Sequence, residues 1–397
     1  MIVRYTADLG VEVPEALRKD VLGKLWYVAE GLTGLELDAA RADRVHFELA
    51  TPEDGVAAEA RARMIEVAKR MVAGYRPASY RVLAQLKGPG VGPGDDPHPG
   101  LVASSDLHHF GRGRWGLGPL ASDLVELLES DLHSVGLDLA TAPHRFPTLI
   151  GADTLASCKY FESFPHSLTF ASHLREDLGA IQSFAREARV VDGHLAADSS
   201  AFASPECLLS PAVCFHLYQW LAGSRLTDTV RARASGKCFR YESGGLDGLG
   251  RLWDFTMSEC IAVGTQTDVL AFREQGLERS LALFEAWGLT LDVHTATDPF
   301  FVDVYAKQAL FQAAFDLKFE ASATLPYRKE PLAIGSFNYH QDFFGRAFDI
   351  QSAEGRPAHT ACVAFGIERF VLAFLAQHGT APRHWPAAVR DRLPESA

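Results

Sequence analysis

The chain has no uninterrupted apolar run long enough to span a bilayer, which argues against a membrane protein. Its first ten residues lack the basic-then-apolar layout of a secretory signal, so a cytoplasmic location is expected. Cysteine is sparse. Six are scattered over 397 residues without paired spacing, so neither a disulfide framework nor a short-range zinc finger is indicated. Basic charge is also short, with 38 Lys and Arg against 50 Asp and Glu and a formal net charge of −12. A protein that grips a long nucleic-acid backbone usually carries the opposite balance, which argues against tRNA as a partner. Sustained heptads are missing as well, so no long coiled-coil arm is expected.

What remains is ordinary soluble composition, 47% hydrophobic and 22% charged, at a length sufficient for two domains. Residues 1–86 alternate strand and helix patterns: strands at 2–6, 44–49 and 81–86, and helices at 14–31 and from Thr51 or Pro52 to about Ala73. They predict a small α+β N-terminal domain with a docking or structural role. Residues 87–102 (KGPGVGPGDDPHPG and its flanks) read as a Gly/Pro-rich linker. Residues 103–397 follow as the larger domain. Within it, 108–118 reads as a packed loop or substrate-facing segment, 119–135 as an amphipathic helix and 174–190 as another.

The organising stretch is 236–264, GKCFRYESGGLDGLGRLWDFTMSECIAVG. It reads as two strands around a glycine-rich turn at Gly244–Gly245, Gly248 and Gly250. Alternation puts Cys238, Arg240 and Glu242 on one face, and the chain returns through Arg251, Phe255 and Glu259. Two arginines and an aromatic opposite a carboxylate suit a polyphosphate joined to a flat base, although cross-strand ion pairs are common on ordinary hairpins. A second stretch, 358–375 (AHTACVAFGIERFVLAFL), runs from a strand into an apolar helix opened by Glu368 and Arg369.

Arg-x-Glu, a loop, Arg-x3-Phe and a later Gly-x-Glu-Arg together resemble the second and third signature motifs of class II aminoacyl-tRNA synthetases. Within that superfamily the chain is most similar to amino acid:[carrier protein] ligases, relatives of the zinc-dependent atypical seryl-tRNA synthetases, over roughly 103–375. The resemblance implies an α+β fold, with a class II-type antiparallel sheet flanked by helices. It also implies a homodimer, whose interface would use the helix at 119–135 and the run to Pro147. By the same resemblance Arg240 binds the α-phosphate and substrate carboxylate, Glu242 the adenine amino group, and Phe255 stacks on adenine. Arg251 and Arg369 hold the outer phosphates of ATP. Glu330 is the implied magnesium-side carboxylate, with Ser336 and Asn338 assisting, and Asp298 and Lys318 contact the amino acid. Glu320 either serves ATP or caps its segment. Residues 157–167 border the amino acid pocket.

The resemblance further implies a zinc ion held by Cys214, Glu259 and Cys362, which binds the substrate amino group. Three ligands and an open position are the usual layout of a catalytic zinc. The implied activity is ATP- and magnesium-dependent adenylation of a small amino acid (glycine, alanine or serine), with transfer to the phosphopantetheine thiol of a carrier protein. Two alternatives stay open: a shortened atypical seryl-tRNA synthetase that transfers to tRNA, and a synthetase-like regulator without catalysis. The retained arginines and thiols weigh against the regulator.

Overall fold

The computed structural model describes residues 2–50, 54–75, 81–89, 94–243, 246, 248–298 and 316–393. The glycines at 244 and 245, the helix start at 51–52 and the middle of the Gly/Pro stretch lie outside the described residues.

The N-terminal part folds strand β1 (Val3–Asp8), helix α1 (Arg18–Leu25), strands β2 (Leu32–Leu37) and β3 (Arg44–Leu49), and helix α2 (Asp54–Gly74). The three strands form an antiparallel sheet in the order β1-β3-β2. Alternation in β3 buries Val45, Phe47 and Leu49, and the two helices cover them with Leu17, Val21, Leu25, Met64, Ala68 and Met71.

Eight of the remaining strands build one large sheet, beside a second three-stranded sheet of Leu149–Gly151, Cys207–Leu209 and Phe170–Ala171 and a ribbon of Arg189–Val191 and His194–Ala196. In chain order the eight are β4 (Val82–Leu86), β7 (Ala142–Pro143), β8 (Val230–Phe239), β9 (Asp254–Gly264), β10 (Leu291–Thr295), β11 (Lys318–Ala323), β12 (Leu332–Tyr339) and β13 (His359–Gly366). A hairpin of β5 (Leu107–Gly111) and β6 (Arg114–Leu117) stands apart. The order across the large sheet is β4-β10-β11-β12-β13-β9-β8-β7, antiparallel except where β7 joins β8. This is the α+β class with a large antiparallel sheet.

One face of the sheet is covered by helices α3 (Pro119–Asp138), α5 (Gln266–Ala286) and α6 (Ile367–His378), which enclose the main core. Helix α6 is apolar nearly all round because it is buried nearly all round. Helix α5 lies so close to β13 that a Cβ on Gly276 would come within 2.4 Å of Val363, which is why a glycine stands in mid-helix. The opposite face carries a smaller cluster, closed by α4 (Cys214–Trp220) and the segment around Phe344 and Phe348.

Four sequence readings need correction. Strand 81–86 does not belong to the small sheet; β4 pairs with β10 at the edge of the large one, and the small sheet takes its third strand from β2. A short strand pattern fixes the element but not its partner, which long-range pairing decides. The expected linker contains a helix at His98–Ala103, and His98 is anchored: Nδ1–H donates to Asp96 and Nε2 accepts from the Leu249 amide. Gly248, at φ +50°, leaves room for that ring. The segment at 108–118 is the β5–β6 hairpin, not a loop. Strand β8 ends at Phe239, so Arg240 and Glu242 lie on the extended segment beyond it.

Candidate active site

Register gathers the site on one face. Directly paired residues of antiparallel strands point to the same side. Lys318 pairs with Asn338, and Asn338 with Cys362; Glu320 pairs with Ser336, Ser336 with Ala364, and Ala364 with Glu259. Seven side chains from four strands therefore share one surface. The helices that close the main core lie against the other surface.

At the centre of this face Cys214, Glu259 and Cys362 are neighbours and nearly inaccessible, with exposures of 4%, 3% and 2%. Cys214 begins α4, and its backbone N–H donates to Glu259 Oε2 at 2.6 Å. The two thiols hydrogen-bond to each other, Asn338 Nδ2 donates to Cys362 Sγ at 3.4 Å, and His340 Nε2 lies 4.0 Å from the same sulfur. The hydrogen bond from Cys214, supported by His340 and Asn338, pulls Cys362 well below the ordinary thiol value. The same bond, with burial and Glu259, pushes Cys214 well above it. Burial and the neighbouring Cys362 push Glu259 up to about 8.

Among the described residues no three His, Cys, Asp or Glu side chains stand in a formed ligand shell. The donor set nonetheless fits a zinc ion. Two sulfurs and a carboxylate are buried together, and a divalent cation replaces their shared protons and relieves their mutual repulsion.

Beside this cluster opens a polar cleft. Arg240 leaves β8 with Nε donating to the Pro211 carbonyl at 3.0 Å, and its guanidinium lies over the Phe255 ring at 5.4 Å. Arg251 Nε pairs with Glu242 Oε2 at 3.1 Å. Burial alone would raise the Glu242 carboxyl, but Arg251, Arg369 and Arg240 outweigh it and hold it below its usual value. Arg369 follows from the first turn of α6, with Nε on the Gly250 carbonyl at 2.9 Å. Its neighbour Glu368 turns the other way and is buried. It accepts from the Thr256 N–H at 2.8 and 2.9 Å and from Thr256 Oγ1 at 2.8 Å, and it pairs with Lys237 at 3.4 Å. Helix α6 is thereby fastened to β9, which fixes Arg369 relative to Phe255.

Lys318 stands between two carboxylates, 2.5 Å from Asp298 and 2.8 Å from Glu320. Burial would lower its ammonium, yet the two anions raise it. Segment 157–167 borders the same cleft: the Ser167 carbonyl accepts from the Tyr241 N–H at 3.0 Å, and Tyr160 interacts with Arg240.

Cys214, Glu259, Cys362, Arg240, Glu242, Arg251, Phe255, Arg369, Lys318, Asp298, Ser336 and Asn338 are thus brought to one continuous region. Glu330 is not. It sits on an exposed turn, where its backbone carbonyl accepts from Arg328. The sequence reading also passed over His340, although it continues the alternation of Ser336 and Asn338, and the clamp made by Glu368.

An open antiparallel sheet with an arginine-carboxylate-aromatic hairpin and an arginine opening the following helix defines the class II synthetase architecture. A crystal structure of A. aeolicus tRNASec in complex with M. kandleri SerRS superposes with a TM-score of 0.71 over 99% of this chain and 79% of that one, at 22% identity. That likeness concerns the fold. No family model matches. Two curated proteins of Bradyrhizobium diazoefficiens are closer in sequence. Amino acid–[acyl-carrier-protein] ligase 1 is 37% identical over 300 residues, 74% of this chain and 88% of the relative. Ligase 2 is 35% identical over 298 residues, covering 74% and 86%. The chain belongs to the amino acid–[acyl-carrier-protein] ligase family. It also resembles the type-2 serine–tRNA ligase of Methanopyrus kandleri, at 28% identity, but spans 57% of that protein.

Proposed function

We propose that the protein activates a small amino acid, glycine, alanine or serine, with ATP and passes it to the phosphopantetheine thiol of a carrier protein. The observation that carries this reading is the convergence on one sheet face of a buried sulfur-sulfur-carboxylate cluster and a cleft lined by three arginines. The first suits an amino group delivered through zinc, and the second suits a triphosphate. Family membership supports the acceptor.

In the first step a carboxylate oxygen of the amino acid attacks the α-phosphorus, and the bond from that phosphorus to the bridging oxygen breaks, releasing pyrophosphate. The protein's part is positioning and charge neutralisation. Arg240 bridges the attacking carboxylate and the α-phosphate. Phe255 supports the adenine, Glu242 accepts from its amino group, and Arg251 turns from Glu242 toward the outer phosphates with Arg369. Cys214, Glu259 and Cys362 would hold zinc, which would supply an electrophilic anchor for the substrate amino group. Lys318, set by Asp298, orients the amino acid. Magnesium would accompany the phosphates, and Glu320, a carboxylate that with Glu242 acts on Arg369, would take the place first expected of Glu330. In the second step the carrier thiol, losing its proton, attacks the acyl carbon and AMP leaves. Helix α3 and the run to Pro147 form the surface of a homodimer, and the N-terminal unit ends before β4, which pairs with β10.

The direct test supplies ATP, magnesium, zinc and labelled glycine, alanine or serine to the full chain, together with holo carrier protein and tRNA. Label that appears on the carrier and is lost on hydroxylamine treatment supports the reading. Label on tRNA instead favours the seryl-type alternative, to which the 28% identity with the type-2 serine–tRNA ligase of Methanopyrus kandleri lends support.

A further inference from the structure

Strand β8 ends at Phe239, and the backbone groups just beyond it take partners from separate parts of the chain. The Arg240 N–H donates to the Trp253 carbonyl at 3.0 Å, and the Tyr241 N–H donates to the Ser167 carbonyl at 3.0 Å. Arg112 donates to the Ser243 carbonyl. The Tyr241 carbonyl, on the residue between Arg240 and Glu242, accepts from Tyr27 Oη at 3.4 Å. Tyr27 belongs to the N-terminal unit. It stands in the turn that follows α1, where its N–H donates to the Lys24 carbonyl at 3.1 Å.

The N-terminal unit also grips the segment that holds the other side of Tyr241. Lys24 Nζ meets His166 Nε2 at 3.2 Å, and the Tyr27 and His166 rings meet edge-on at 5.1 Å. Phe164 packs against both the core of the N-terminal unit and the smaller cluster under the large sheet. Both backbone groups of Tyr241 therefore depend on the N-terminal unit, the carbonyl directly and the N–H through Ser167. Ordinary packing between two units would be the plain reading of such a seam. Here, however, the contact falls on the backbone of one residue that has a site residue on either side.

We propose that Tyr27 is a positioning residue for the nucleotide: it holds the Tyr241 backbone so that Arg240 and Glu242 keep the spacing that receives ATP. The inference rests on the nucleotide reading given above. In that reading Arg240 meets the α-phosphate and Glu242 the adenine, so a turn of the backbone between them misplaces both at once. The N-terminal unit then acts on adenylation without touching either substrate.

The test combines ATP–pyrophosphate exchange with backbone hydrogen exchange on the full chain, for wild type, Tyr27→Phe, Tyr27→Ala and Val21→Ala. Tyr27→Phe keeps the ring and loses the bond, so KM for ATP should rise about 2- to 10-fold. Tyr27→Ala also loosens the turn at His166, and kcat/KM for ATP should fall about 10- to 100-fold. In both variants amide exchange across 240–243 should quicken. Val21→Ala cuts the core of the same unit, away from the seam. It should lower the thermal midpoint while leaving KM for ATP and the exchange of 240–243 as in wild type. Wild-type KM and wild-type protection of 240–243 in both Tyr27 variants overturn the inference. So does a rise in KM that Val21→Ala reproduces, since the unit then matters only by being folded. A wild-type protein that exchanges with none of the amino acids overturns the nucleotide reading, and the role of Tyr27 falls with it.

Discussion

The two faces of the large sheet are built from the same strands yet carry opposite chemistry. On β11, Phe319 and Ala321 face the helices while Lys318 and Glu320 face the cleft; on β13, Val363 and Phe365 alternate with Cys362. One face excludes water with Phe284, Phe370 and Phe374. The other buries charge, and can do so only because each charged group has a partner: Lys318 between two carboxylates, Glu242 against Arg251. The apolar face therefore sets stability, and the polar face is free to hold groups that would be costly elsewhere.

The sharpest way to break this division is to cut into each face separately. Phe370→Ala removes a fully buried ring that packs on Phe284 at 5.9 Å and Trp287 at 5.1 Å. It should cost about 3–5 kcal/mol of unfolding free energy, read by denaturant titration. Arg240→Ala should leave that titration nearly unchanged and lower adenylate formation by roughly 10²–10³-fold. Normal activity in a folded Arg240→Ala protein would remove the site assignment. Cys214→Ala tests the cluster itself: bound zinc, measured by elemental analysis, should fall from near stoichiometric to near background while the far-UV spectrum holds.

Glu368 joins the two faces and gives an intermediate effect. Glu368→Gln keeps the shape but loses the charge that accepts from Thr256 and Lys237. A cost of about 1–2 kcal/mol is expected, with KM for ATP rising because Arg369 is no longer held in place. Unchanged stability and KM would show that the clamp is incidental.

Legibility in the sequence followed the same division. Phe255 and Arg369 could be placed because a strand position and a helix start fix which face a residue takes, whereas Arg240 and Arg251 lie off the strands and alternation does not place them. Cys214, Glu259 and Cys362 came only through family resemblance, since the register of β9 on β13 and the docking of α4, not spacing, bring them together. Glu330 stands apart for a related reason: a carboxylate in a turn beside Arg328 and Lys329 looks like one on the following strand until the start of that strand at Leu332 is known. The Gly/Pro run suggested a free linker because composition reports backbone freedom but not anchors such as His98 on Leu249. The position of α1 over the cleft had no local signal, because it depends on packing between segments far apart in the chain.

That packing supplies the smallest expected effect, a pH dependence at the seam between the N-terminal unit and the cleft. His166 meets Lys24 at 3.2 Å and the Tyr27 ring edge-on at 5.1 Å, with Glu242 nearby. Burial, then the Lys24 ammonium, lowers its pKa to about 4, with Glu242 opposing. In the unfolded chain His166 takes up a proton near its usual 6.5, whereas the folded protein resists until about 4. The unfolded state thus binds more protons between these values, and stability falls as pH drops through that window. The contribution is fully present above 6.5. By pH 5 a loss of about 1 kcal/mol is expected, allowing for partial solvent access. Thermal midpoints of wild type and His166→Gln should run parallel above pH 7 and converge or cross below 6. Parallel curves down to pH 4.5 would mean that His166 is already free to protonate in the folded chain, and the seam would then be looser than the hydrogen bond from Lys24 implies.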